Sequence, residues 1–165
     1  MADGPDDTFD SGGAQVSDLK AIPLAWEPVY AVNDFWDGPR GGVACVQGVP
    51  HIYQSIFDDS ADDYLGSCRV SPIAPDVLAL VLEDWQIWLR WSDAFQLGEV
   101  TLESHPALPA DRPRHDEIQS MLLGRLQVDQ ANCRTLTAQY RHTGEKRWEG
   151  WEVAWSAPKN SNLEP

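Results

Sequence analysis

The sequence predicts an α+β domain: an antiparallel sheet of about four N-terminal strands plus a C-terminal hairpin, with one long and one shorter helix packed on one face. Three observations carry that expectation. Residues 26–73 are rich in Val, Ile, Tyr, Phe and Trp and broken by turn sequences, a long run of helical periodicity follows, and the βαβ alternation of a parallel sheet is missing. A chain of 165 residues suits a single core, which at this length buries roughly two-thirds of its unfolded surface without a disulfide or metal.

Taken in order, Glu27 to Trp36 reads as a strand stopped by Asp37-Gly38-Pro39. Val43 to Val46 and Val49 to Phe57 flank Gln47-Gly48, where glycine supplies the positive φ of a tight hairpin. Asp58 to Asp63 is an acidic loop, and Tyr64 to Val70 a fourth strand. Pro75 opens the long helix, which runs to about Leu97 with Gly98 just past its end. Its apolar residues spread over so wide an arc that it must be covered on more than one side, by the sheet and by a second helix. Ser104 to Arg114 is an extended connector, a shorter helix spans about Pro113 to Val128, and Cys133 to Arg141 with Arg147 to Ala157 forms the final hairpin. Residues 1–20, acidic and poor in aromatics, are expected to be a disordered tail, as are residues 158–165; residues 21–157 form the domain.

The chain carries 12 Lys and Arg against 26 Asp and Glu, a formal charge of −14. Residues 1–20 hold five acids against one base, residues 21–100 twelve against three, and residues 101–165 nine against eight, so the field belongs to the first two-thirds. Such a surface repels phosphates, which excludes direct nucleic-acid binding and anionic membranes and favours a basic protein as partner. No run of 18 apolar residues and no basic leader opens the chain, and the three cysteines are odd in number and widely spaced, which together predict the cytoplasm.

Several residues are chemically suggestive. At 100° per residue Asp84 falls at about 340° on the long helix, inside its apolar arc. A carboxylate there needs donors, with Arg40, Arg69 or an indole as candidates, or else serves as a pocket acid or base. Asp34 to Gly42 presents the lone Arg40 between glycines and beside Asp37, a loop able to grip an anion but lacking the P-loop and dinucleotide patterns. His51, Tyr53 and Ser55 share one strand face by alternation, and His51 is the natural proton carrier near neutral pH. With a two-residue turn at Gln47-Gly48, Ala44 opposes His51 and Cys45 opposes Pro50, which separates Cys45 and His51 onto opposite faces. No Cys-x-x-Cys, His-Glu-x-x-His or EF-hand order is present, so no metal or cofactor is expected, and Asp58, Asp59, Asp62 and Asp63 read as a solvated loop. Of eight tryptophans most are expected in the core, with Trp36 and Trp148 as candidate exposed anchors.

These features point first to an acidic binding or regulatory module, built like an inhibitor or immunity protein, that docks on a basic protein through Trp36, Arg40, Asp58, Asp59, Asp62 and Asp63. The competing expectation is a small enzyme using acid–base chemistry on an anionic substrate, with Asp37, Arg40, His51, Tyr53 and Asp84 around one pocket. A weaker third is a carbohydrate surface made of exposed tryptophans.

Overall fold

The structure, a computed structural model, describes residues 25–158. The two predicted tails fall outside the described residues, Pro158 excepted. Six strands run in chain order: β1 (Trp26–Phe35), β2 (Pro39–Val46), β3 (Val49–Asp58), β4 (Asp63–Pro72), β5 (Arg134–His142) and β6 (Trp151–Ser156). Between β4 and β5 lie α1 (Pro75–Gln96), a 3₁₀ turn at Leu102–Ser104 and α2 (Arg112–Leu122).

The predicted open sheet is incorrect: each strand pairs antiparallel with the next and β6 returns to β1, closing a six-stranded barrel. The final hairpin therefore joins the sheet on both sides, through Val70↔Arg134 to Ser67↔Thr137 on β4 and through Trp26↔Ala154 and Pro28↔Glu152 on β1. Closure removes both sheet edges and creates an interior. Its physical basis lies in bent strands. β1 shifts register between Val29 and Ala31 and again around Asp34, and such bulges coil a strand and turn side chains from one face to the other. Gly42, with φ of 151°, sits where a Cβ would lie 2.0 Å from the Ala31 carbonyl oxygen, so β1 and β2 approach there only because it has no side chain.

Two cores result. The barrel interior holds Ala44, Val46, Tyr53, Cys68, Val70 and Val153. The outer core puts Ala31 and Val43, on the outside of β1 and β2, against Val77, Leu80, Val81 and Ile87 of α1 and Ile118 and Leu122 of α2. β2 is thus covered on both faces, and Gly41 through Val46 are all buried.

The turn at Gln47-Gly48 has φ of 51° and 78°, and the register Ala44↔His51 and Cys45↔Pro50 is the one the two-residue turn predicts. Glu27 fastens this turn to β1 by accepting the N–H groups of Gln47 (3.0 Å) and Gly48 (2.9 Å).

α1 begins with Pro75 in its first turn and ends where Gly98 takes φ of 73°, letting the Glu99 N–H reach back to the Ala94 carbonyl at 2.9 Å. α2 is shorter than the predicted span because Leu123 turns to an extended ψ of 121° and Gly124 follows at φ of 74°. The two helices lie antiparallel, joined by Asp76–Arg125 (2.8 Å), Glu83–Arg114 (2.6 Å), Asp84–His115 (2.7 Å) and Arg90–Asp111 (2.9 Å).

Candidate functional site

Two places on the described surface stand out: a cleft between the barrel and the helices, and the end of the barrel where the β1–β2, β3–β4 and β5–β6 turns meet. The cleft, of about 480 Å³, is floored by Ala31, Val43 and Val81 and walled by Phe35, Trp85, Trp88 and Trp148, with Asn33, Asp34, Asp84, His105 and His115 as its polar groups. β1 supplies Asn33 and Asp34 through its irregular register, and α1 supplies Asp84, Trp85 and Trp88 from the side that faces the barrel. The aromatic wall is continuous. Trp85 stacks on Trp88 at 5.1 Å, Trp88 meets Trp148 edge-on at 5.0 Å, and Trp148 meets Phe35 at 4.8 Å.

Asp84 is the group the helical wheel singled out, and its partners come from α2. His115 Nδ1–H donates to Oδ1 at 2.7 Å, and Gln119 donates from Nε2 to Oδ2 at 2.9 Å. The side chains are 20% and 13% exposed, so the pair sits in the cleft wall rather than under it. With Nδ1 committed to the carboxylate, the imidazole is held in one orientation, and Nε2 makes no hydrogen bond among the described residues. Neither Arg40, Arg69 nor an indole donates to Asp84. The sequence does not announce His115 and Gln119 as the partners of Asp84. The available signal was their i, i+4 spacing beside Ile118 and Leu122, which face the core.

The predicted Asp37, Arg40, His51 and Tyr53 pocket is not assembled. Arg40 lies near the β1–β2 turn, its Nε donating to the Trp36 carbonyl at 2.8 Å and its guanidinium 4.4 Å from the Tyr64 ring. His51 sits at the far end of the same strand pair, opposite Ala44 and Pro72, with Nδ1 donating to the Val49 carbonyl at 2.8 Å. Four residues of strand separate the two positions, roughly 13 Å. Tyr53 lies between them inside the barrel, 1% exposed, its hydroxyl without a partner, and burial pushes its pKa far above the ordinary 10.0. Cys45 turns outward from the barrel interior, 3.3 Å from Glu27, and burial raises its thiol pKa.

The residues expected to bind a partner lie at one end of the barrel. The β1–β2, β3–β4 and β5–β6 turns all lie at one end of the barrel, which gathers Trp36 and Asp37 from the first, Asp58 to Asp63 from the second and Lys146 to Trp148 from the third. Trp36 is 72% exposed and Phe57, which packs on Tyr64 at 5.1 Å, is 44% exposed. Asp58 shapes its own loop: one carboxylate oxygen accepts the Ser60 hydroxyl and N–H, which holds its pKa below 3.8. Among the described residues no group of three or more His, Cys, Asp or Glu is arranged to hold a metal ion, and no helix is long and apolar enough to cross a membrane. Among the described residues the lining of the cleft contains no Ser, Thr, Cys, Lys or Arg, so no hydroxyl, thiol or amine nucleophile of these types stands beside the Asp84–His115 pair. Compared with known protein families, with curated proteins and with solved structures, the chain matches none.

Proposed function

We propose that this protein is an acidic binding module that docks on a basic protein through the open end of its barrel. The observation that supports this reading best is the pairing of exposed aromatic area, Trp36 and Phe57, with Asp37, Asp58, Asp59, Asp62 and Asp63 around the β1–β2 and β3–β4 turns. Exposed aromatic area beside a cluster of like charge has the composition of a contact patch in which the aromatics supply affinity and the charges steer the encounter. Arg40 is held within that end of the barrel, on Tyr64 and the Trp36 carbonyl, so it ties the β1–β2 and β3–β4 turns together while keeping its own positive charge.

The test is capture of basic proteins from a lysate, followed by binding kinetics of the captured partner against two variants. Trp36→Ala is expected to weaken binding at least about ten-fold, mainly in the off-rate. The triple change of Asp37, Asp59 and Asp62 to Asn is expected to slow association and flatten its salt dependence. Asn tolerates the positive φ of Asp37 (54°) and Asp62 (51°), so this variant keeps the turns. Partners that bind both variants like the parent protein, at a rate indifferent to salt, would overturn the reading.

A further inference from the structure

We infer that the cleft between β1 and α1 is a binding site for a small organic cation with a flat apolar body, such as an aromatic amine or amidine. The inference does not depend on docking at the barrel end. Four aromatic rings form one wall, and among the described residues the only charged side chains that line the cleft, imidazoles aside, are the carboxylates Asp34 and Asp84. Asp34 makes no hydrogen bond or ion pair among the described residues and stands beside Phe35 at the edge of the cleft. Asp84 spends one lone pair of each oxygen on His115 and Gln119, and a carboxylate has about four such sites in all. An aromatic wall favours a cation through the negative ring faces, an effect that grows as water is displaced, while both carboxylates penalise an anion.

The protein already shows what these rings accept. The Arg147 guanidinium lies 4.8 Å from the Trp148 ring and 5.0 Å from Phe35, yet Arg147 does not line the cleft. Arg147 thereby covers part of the aromatic cluster, and its charge opposes that of an incoming cation.

The probe is benzamidine, with benzoate and benzyl alcohol as matched anionic and neutral controls, followed by NMR of the indole N–H signals. Benzamidine is expected to bind saturably and to move the signals of Trp85, Trp88 and Trp148 while leaving Trp36 in place. Benzoate and benzyl alcohol are expected to bind at least roughly ten-fold more weakly. Asp34→Asn, an exposed change that leaves the core intact, is expected to weaken benzamidine several-fold, Arg147→Ala to tighten it, and Trp36→Ala to leave it unchanged. Benzoate binding as well as benzamidine, shifts confined to other indoles, or no saturation below about 10 mM would each overturn the assignment. Because the Trp36→Ala arm is silent here and decisive for protein docking, the two proposals fail separately.

Discussion

Inside the barrel the polar groups are neutral, whereas between the helices they are charged. Cys68 Sγ lies 3.5 Å from both the Ser55 hydroxyl and the Tyr140 hydroxyl, and Tyr53 leaves its own hydroxyl unpaired. α1 and α2 instead meet through two bidentate ion pairs, Arg90–Asp111 and Arg114–Glu83, with the Asp84–His115 contact beside them. The difference follows from water. A closed interior cannot solvate an ion, so only groups that stay neutral are tolerated there. The helix seam is open to solvent, where a charge costs little and each pair returns at most about 1 kcal/mol. The ion pairs thus add little stability of their own, and the helices are held mainly by the outer apolar core they share with β1 and β2.

The largest effect is expected of Gly42→Ala. A methyl group there collides with the Ala31 carbonyl at a φ that side chains avoid, so the change is expected to cost more than about 3 kcal/mol and to unfold barrel and helices together in urea. Loss of helical signal alone would mean that the barrel does not depend on the close approach of β1 and β2.

pH separates the two regions next. Arginine partners hold Glu83 and Asp111 below their ordinary 4.5 and 3.8. A depressed carboxylate stabilises the fold above its unfolded pKa and loses that contribution as pH falls through its folded value. Acid below about pH 4 is therefore expected to release α2 first, seen as faster amide exchange in residues 112–122. Cys68, Tyr53 and Tyr140 behave in the opposite sense: burial raises all three, so their contribution is whole below pH 9.0 and falls as pH rises past their ordinary 9.0 and 10.0. Alkali is expected to lower the melting temperature of the barrel, read from near-ultraviolet circular dichroism. Simultaneous loss of both regions at either extreme would erase the distinction.

The smallest expected effect is that of His115→Ala. It leaves the half-buried Asp84 with Gln119 as its remaining partner, at a cost of about 1–3 kcal/mol. The loss is expected to appear as weakened protection of α2 with the barrel ladders unchanged.

Much of this was legible in the sequence because it is local. The two-residue turn dictated the Ala44↔His51 register, and the Pro75 and Gly98 signals bracketed α1. Closure was not legible, since it rests on Trp26 to Pro28 finding Glu152 to Ala154 across nearly the whole described chain. One clue was available: Gly41-Gly42-Val43-Ala44-Cys45-Val46 is a continuous small and apolar run, the pattern of a strand covered on both faces rather than one. At the site, Asp84 stood out because its position on α1 violated the apolar arc, but its partners lie on a helix whose docking no periodicity specifies. The seven-residue spacing of Asp76, Glu83 and Arg90 already marked a charged stripe on α1; that it faces Arg125, Arg114 and Asp111 only the tertiary structure reveals.

The β1–β6 seam also sets the order of events during synthesis. Among the described strands β1 is made first and β6 last, so the side of β1 that pairs with β6 waits for that partner until Ala154 has been produced. Throughout that interval the nascent chain carries a free strand edge, the kind of surface on which partly folded chains join one another. The segment held waiting is Trp26-Glu27-Pro28. Proline there offers no N–H to a stray strand and glutamate repels an acidic copy of the same chain, so the residues that finally close the barrel also guard it while it is open.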